Sequence, residues 1–179
     1  MPREITVIPY DESWPYLYEK EKNLLLGIFG NLAFDIQHFG STSIKGMAAK
    51  PIIDIMIVAD DLLMIDARND AMAANGYVAK GENGIPGRRY FVKLHPDQSG
   101  NHTHHVHVYQ TGNRHIADEK MFRDYLRIDP EAFAKYVQVK KEAALKYRYD
   151  PPAYTDAKSA CVLEIMEKAR SYFVGHHGP

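Results

Sequence analysis

Apolar residues recur along the chain at two different spacings, and the change between them separates a mixed first half from a helical second half. Alternation, or a short continuous apolar run, indicates a strand, whereas spacing at i, i+3 and i+4 indicates an amphipathic helix. These patterns predict strands over residues 5–8, 33–39, 51–58, 77–80, 89–94 and 104–109. They predict helices over residues 14–29, 61–75, 113–128, 130–147 and 155–173.

Proline and glycine mark where these elements begin and end. Pro15 suits the first turn of the first helix, Gly30 and Gly76 suit helix ends, and Pro151-Pro152 separates the last two helices. No internal repeat, low-complexity tract or composition break marks a linker, so we predict one domain over residues 1–179. The order of the predicted elements is a mixed α/β half followed by a helical half.

Composition and charge narrow the class of protein and its partners. The chain is 45% hydrophobic and 25% charged, which is typical of a soluble globular protein. Its net charge of −1 lacks the basic surplus that nucleic-acid binding usually needs, so a small molecule or nucleotide is the expected partner. Cys161 is the single cysteine, no run approaches the ~20 apolar residues that span a membrane, and the first residues lack a signal peptide's apolar run. We therefore expect a cytoplasmic protein without membrane contact.

The segment from His38 to Ile57 carries the strongest chemical signal. A predicted strand ends there in the turn Gly40-Ser41-Thr42-Ser43, whose amide and hydroxyl groups suit phosphate oxygens. The next strand places one carboxylate, Asp54, within the apolar run Ile-Ile-Asp-Ile-Met-Ile-Val. A carboxylate among isoleucines needs a partner, such as a metal ion or a cation. The alternative is a turn followed by an aspartate that accepts hydrogen bonds from neighbouring backbone amides.

The same segment resembles a known family. The stretch FGSTSIKGMAAKPIIDI is similar to the signature of the GrpB family in the nucleotidyltransferase superfamily, and HHVHVY, RHIADEKMFRDYLR and YTDAKSACVLEI are similar to later segments of that family. The resemblance implies the fold class α/β (α+β), a nucleotidyltransferase-like mixed β-sheet flanked by helices with a helical C-terminal half. It also implies binding of a nucleoside triphosphate with a divalent metal, Mg²⁺ or Mn²⁺. Carried over by position, Gly40 and Ser41 hold the phosphates, and Asp54 is the first metal carboxylate.

One carboxylate of the superfamily's pair is replaced in this chain. Residues two apart on a strand share a face, so Met56 occupies the place of the second acid, and a thioether does not bind Mg²⁺. His105 and His107 share one face of the predicted strand over residues 104–109, and we expect that face to look toward Asp54. Two imidazoles and a carboxylate suit Zn²⁺ or another transition metal. The alternative is a half-exposed histidine pair satisfied by neighbouring hydroxyls.

Basic residues near the turn could hold an anion. The candidates for phosphate binding are Lys50, Arg89, Lys93 and Arg114, and the alternative for the two strand residues is a solvated sheet edge. A second basic set lies on the helical half and comprises Arg123, Arg127, Lys140, Lys141 and Lys158. Within it, Arg123 beside Asp124 and Arg127 near Asp129 are interpreted as surface or interhelical ion pairs. Lys158 is singled out because a lysine in the first turn of the last helix opposes the helix dipole, which suggests an anionic partner.

Three functions follow from these residues. The first is metal-dependent transfer of a nucleotidyl group, or a related phosphoryl reaction, to a small acceptor, with Ser41 and Asp54 as catalytic residues. The second is a nucleotide-binding module without catalysis, which Met56 favours. The third is a metal-dependent hydrolase that uses Asp54, His105 and His107 to activate water.

Overall fold

The computed structural model describes residues 4–97 and 99–176 and shows one mixed sheet between two sets of helices. The elements in chain order are α1 (Trp14–Phe29), β1 (Asp35–Phe39), β2 (Ile53–Ala59), α2 (Leu62–Asp66), α3 (Asn69–Ala74), β3 (Tyr77–Ala79), β4 (Arg88–Leu94), β5 (His102–Gln110), α4 (Arg114–Ile128), α5 (Pro130–Lys146) and α6 (Pro151–His176). Short 3₁₀ turns follow α1 and β1, at Gly30–Leu32 and Ser41–Ser43. The mixed sheet and the helical C-terminal half are as predicted.

The sheet has the strand order β1-β2-β5-β4-β3. The central pair, β2 and β5, is parallel, and all other neighbours are antiparallel. β2 is apolar on both sides because helices cover both faces of the sheet at its centre. Asp54 lies opposite His105 in the register of the central pair, so the chemistry-bearing residues meet in the middle of the sheet rather than at its edge.

Different helices pack against the two faces of the sheet. One face packs against α1, α2 and α3, and its core includes Ile55, Ile57 and Val106, each with no exposed surface. Alternation places Asp54 and Met56 on the other face, which α4 partly covers. The helices α4, α5 and α6 form a second apolar core of their own. The functional groups therefore lie between the sheet and this helical layer.

Three predicted elements differ from the structure. The predicted strand over residues 5–8 is wrong: only Ile8 forms an isolated bridge, to Ala49, while the Ile5 amide bonds to Arg148 O at 2.8 Å. Because these two amides bond to separate parts of the chain, no ladder forms. The predicted helix over residues 61–75 is two short helices, since Arg68 leaves the helical region at φ −100° and ψ 5°.

The last helix begins earlier than predicted. It starts at Pro151, because proline is tolerated in a first helical turn, where its missing N–H is not needed. Lys158 is therefore seven residues beyond the helix start, and the helix-dipole argument for it does not apply. None of the described helices has an apolar stretch of the length that crossing a bilayer requires.

Candidate functional site

A cavity of about 210 Å³ lies between the sheet and the helical layer. The sheet and its turn contribute one wall, and α4, α5 and α6 contribute the other. Its lining includes Phe39, Gly40, Ser41, Thr42, Ile44, Ala49, Lys50, Ile52, Asp54, His105, His107, Glu119, Phe122, Arg123, Tyr136, Lys140, Tyr154 and Lys158. The cavity collects most of the residues predicted from the turn and the central strands, together with lysines from the helices.

The turn after β1 is built around a close approach of backbone and carboxylate. Gly40 has φ 68° and ψ −175°, a conformation that side chains with a Cβ rarely adopt. A Cβ at this position would lie 2.6 Å from Asp54 Oδ2. Ser43 Oγ donates to Gly40 O at 2.6 Å, and the buried Thr42 hydroxyl contacts His38 Nε2 at 2.9 Å. These two hydroxyls hold the turn, and Ser41 presents its hydroxyl to the cavity.

Asp54, His105 and His107 converge on one point of the cavity, as the strand alternation predicts. His105 Nδ1 lies 3.3 Å from Asp54 Oδ1, and His107 Nε2 lies 3.9 Å from the same oxygen. One potential ligand atom from each of the three residues lies within 4.8 Å of the others. Met56 shares the face of Asp54 but is buried against Phe39 and does not line the cavity.

The protonation of this cluster is set by burial and hydrogen bonding. Burial is the largest single influence on Asp54 and raises its pKa, but the hydrogen bond from His105 and the nearby His105, His107 and Lys50 together outweigh burial, so the pKa lies below its ordinary value. Burial lowers the pKa of His107 to about 3, so its imidazole is neutral at pH 7. The cluster is therefore a carboxylate beside a neutral imidazole.

The opposite wall carries a buried lysine. Lys140 is 2% exposed, and its Nζ donates to Ser41 Oγ at 2.9 Å and to Ala48 O at 2.6 Å. Both acceptors are neutral, and no carboxylate pairs with Lys140 in the described part of the chain. Burial, followed by the charge of Lys158, lowers its pKa to about 7. An ammonium without an anionic partner in a desolvated site favours binding of an anion.

Two further lysines enlarge this cationic wall. Lys158 Nζ lies over the ring of Tyr154 at 4.3 Å, and Lys50 Nζ lies over the same ring at 5.1 Å. Burial, followed by the charge of Lys50, lowers the pKa of Lys158 to about 8. A cation–π contact does not neutralise an ammonium, so Lys158 keeps a positive charge beside the cavity.

Glu119 of α4 adds a second carboxylate to the cavity. Burial, followed by repulsion from Asp54 and Asp118, raises its pKa to about 7. Among the residues that the structure describes, no hydrogen bond or ion pair holds it. A carboxyl group that titrates near neutral pH is suited to proton transfer.

Several predicted phosphate-binding residues lie elsewhere. Arg89 and Lys93 occupy the opposite sheet face, where Arg89 Nε donates to Asp66 at 2.6 Å and Lys93 Nζ donates to the buried Glu21 at 2.6 Å. Arg114 is exposed at the start of α4, outside the cavity lining. The structure therefore brings Gly40, Ser41, Thr42 and Lys50 into the cavity but not Arg89, Lys93 or Arg114, nor Ser43, which bonds within the turn.

The sequence does not predict that Lys140 and Glu119 line the cavity. Lys140 carries a readable signal, because it falls on the buried stripe of α5 with Ala132, Tyr136, Ala143 and Ala144 at helical spacing. A charged residue inside an apolar stripe marks a buried charge. Glu119 carries no such signal, since Tyr125 and Leu126 are the buried residues of α4 and form no long apolar stripe around Glu119.

Comparisons with known proteins agree on the family and on the fold. A model of the GrpB protein family matches residues 4–168. The UPF0157 protein YqkA of Bacillus subtilis (strain 168) is 40% identical over 176 residues, which cover 98% of this chain and 50% of that protein. This chain thus spans half the length of that relative. The crystal structure of the conserved protein GrpB from Enterococcus faecalis is 32% identical, with a TM-score of 0.86 over 94% of this chain and 99% of that chain.

A more distant structure identifies the wider fold. The Cid1 poly(U) polymerase, in a crystal structure bound to MgATP, matches with a TM-score of 0.57 at 12% identity, over 84% of this chain and 50% of that chain. At this identity the likeness concerns the fold alone. The mixed sheet and its flanking helices therefore have the nucleotidyltransferase-like architecture that the sequence predicts.

Proposed function

The chain belongs to the GrpB family, and we propose that its cavity binds the phosphate chain of a nucleotide or of another phosphorylated small molecule. The observation that carries the proposal is the buried Lys140, whose ammonium contacts the hydroxyl of Ser41 and has no carboxylate partner among the described residues. The lysine of α5 and the serine of the turn after β1 thereby lie together at the proposed anion-binding position. The MgATP-bound neighbour of the same fold supports a nucleotide as the ligand class.

Each wall of the cavity has a distinct part in this binding. Lys140 and Lys158 neutralise phosphate charge, and Lys50 extends the cationic wall toward Tyr154. Ser41 and the backbone of the turn donate hydrogen bonds to phosphate oxygens. The aromatic rings of Tyr136 and Tyr154 lie against the ammonium groups and limit their contact with water, which strengthens their attraction for an anion.

A divalent ion fits this cavity when phosphate oxygens complete its coordination. Mg²⁺ is commonly held by one or two carboxylates together with substrate phosphates, and Asp54 is ionised and faces the cavity. Asp54 would hold the ion, which would neutralise phosphate charge. The burial of Met56 away from the cavity leaves this single strand carboxylate for the task.

The proposed activity is transfer of a nucleotidyl group to a small acceptor hydroxyl. The acceptor oxygen would form a bond to the α-phosphorus, the bond to the leaving pyrophosphate would break, and Glu119 would accept the hydroxyl proton. Its pKa of about 7 suits a general base. A second candidate function is binding without catalysis, and the specific observation that favours it is Met56 in place of a second metal carboxylate.

Binding is tested by thermal unfolding and titration calorimetry of the purified chain. We expect MgATP and inorganic triphosphate to raise the melting temperature, whereas adenosine, which has no phosphate, does not. The absence of a shift with any phosphorylated ligand would reject the proposal. Release of pyrophosphate from bound nucleotide, measured with a panel of small hydroxyl acceptors, separates the transferase from the binding module.

The affinity for the phosphate chain is expected to fall as the pH rises above about 7. Burial and Lys158 lower the pKa of Lys140 to about 7 in the free protein, and a bound anion raises it. The gain in affinity is thus complete below pH 7 and is lost as the pH approaches the pKa of the complex. Calorimetry at pH 8 in buffers of different ionisation enthalpy should show uptake of roughly one proton, to which Lys158 contributes. Binding with no proton uptake would contradict the assignment.

A further inference from the structure

Arg88 lies behind the histidine cluster and points one guanidinium nitrogen at His107. The side chain is 6% exposed, and its Nη1 lies 3.3 Å from His107 Nδ1. Its other nitrogens are already engaged, since Nε donates to Glu82 O at 3.2 Å and Nη2 donates to Asn83 O at 2.8 Å. The guanidinium also stacks on the ring of Tyr90 at 5.0 Å. Arg88 is therefore fixed in position.

This contact decides which nitrogen of His107 carries the proton. A guanidinium only donates hydrogen bonds, so His107 Nδ1 must offer its lone pair. A neutral imidazole has one N–H, which then lies on Nε2. That atom is buried, faces Asp54 Oδ1 at 3.9 Å and has no hydrogen-bond partner in the described residues.

We infer that Arg88 fixes His107 as a hydrogen-bond donor to a ligand oxygen in the cavity, and that it thereby excludes His107 from binding a transition metal. A nitrogen that carries a hydrogen has no lone pair for a metal ion. The three-residue cluster is consequently a poor site for Zn²⁺, although its atoms lie close together. The cavity instead favours an ion that arrives with the phosphates.

His105 also directs an N–H group toward Asp54. Its Nδ1 faces the ionised Asp54 at 3.3 Å, and a carboxylate only accepts, so the hydrogen lies on Nδ1. Its Nε2 contacts His102 Nδ1 at 2.9 Å and accepts from it in the neutral form. Both imidazoles thus direct N–H groups toward Asp54 and leave no free lone pair at the centre of the cluster.

The inference has two parts. The donation from His107 to a ligand oxygen rests on the proposed phosphate binding. The assignment of the His107 tautomer does not depend on that binding. Histidine ¹⁵N–¹H correlation spectra of the ligand-free protein at pH 7 read the tautomer directly, with the His107 signals assigned by their loss in His107→Gln. We expect Nε2 protonated and Nδ1 unprotonated. A His107 protonated on Nδ1 overturns the inference, even if MgATP binds as proposed.

Zinc affinity tests the metal selectivity, with a chromophoric chelator as competitor. We expect His107→Gln to change the Zn²⁺ affinity of the protein less than twofold. We expect Arg88→Met to raise that affinity at least tenfold, because Nδ1 can then carry the proton and Nε2 can offer its lone pair to the metal. A loss of Zn²⁺ affinity of tenfold or more in His107→Gln overturns the inference, and this comparison holds even if Arg88→Met does not fold.

Binding of inorganic triphosphate tests the donor role. His107→Gln restores an N–H near the position of Nε2, and His107→Leu does not. We expect the glutamine variant to bind at least fivefold more tightly than the leucine variant. Equal affinities in a protein that binds triphosphate overturn the donor role, while a parent protein that binds no triphosphate overturns the proposed function and leaves the tautomer result standing.

Discussion

Replacing Lys140 by methionine is expected to weaken binding of inorganic triphosphate and of MgATP at least thirtyfold. Truncating one partner of a buried charge pair costs about 2–5 kcal/mol, and each 1.4 kcal/mol is a factor of ten. Methionine keeps the unbranched shape but removes the ammonium that contacts Ser41 and Ala48. Titration calorimetry at pH 7 gives the affinity, and thermal unfolding shows whether the variant is folded.

Lys141→Met is the matched control, because the two lysines are adjacent on α5 and only Lys140 is buried. Both variants replace one lysine of α5 by methionine, so a difference between them reports the cavity and not the general charge of the helix. We expect Lys141→Met to bind like the parent. Equal losses in the two variants would show that phosphate is attracted by the general charge of the helical half, and the cavity would lose its assignment.

The sequence predicts the strands and helices well where periodicity and burial agree. The residues of β2 are apolar on both sides, which predicts a strand covered on both faces, and β2 is an interior strand of the sheet. Residues 5–8 are also mostly apolar and β-branched, yet their backbone groups bond to two separate parts of the chain. Strand propensity favours an extended backbone conformation. Whether that segment joins a sheet depends on whether it lies beside the edge of another strand.

The basic residues of β4 show a similar limit of sequence-based prediction at the site. Alternation correctly groups Arg89 with Lys93 and separates them from Arg88. It does not decide which of the two faces looks toward Asp54, because that depends on the register between strands. In the structure the face of Arg88 adjoins the histidines, while Arg89 and Lys93 form ion pairs near α1 and α2.

The chemistry of the helical half is harder to predict from the sequence. Lysines on helices are usually solvated, and adjacent Lys140 and Lys141 look alike in composition. Only the stripe of buried positions on α5 separates them. The proposed anion site thus arises from packing α5 against the turn at Ser41, a contact between residues about a hundred positions apart in the chain.

Gly40→Ala is expected to lower the stability and also to disrupt the position of Asp54. The ε-region backbone of Gly40 costs roughly 1–3 kcal/mol for a residue with a Cβ. The added methyl group would lie 2.6 Å from Asp54 Oδ2 and 3.0 Å from Asp54 Cβ, so the carboxylate must move. Denaturant unfolding should show a loss of about 2–4 kcal/mol, and Mg²⁺-dependent binding of ATP should fall at least tenfold.

Gly112→Ala separates backbone strain from displacement of the carboxylate. Gly112 also has a positive φ of 82°, but a Cβ there meets no atom within 4 Å. We expect it to lose about 1–2 kcal/mol of stability and to keep its affinity for MgATP. If Gly40→Ala behaves like Gly112→Ala in both measurements, the turn tolerates a side chain beside Asp54. The close approach of backbone and carboxylate would then be a feature of the turn and not a requirement of ligand binding.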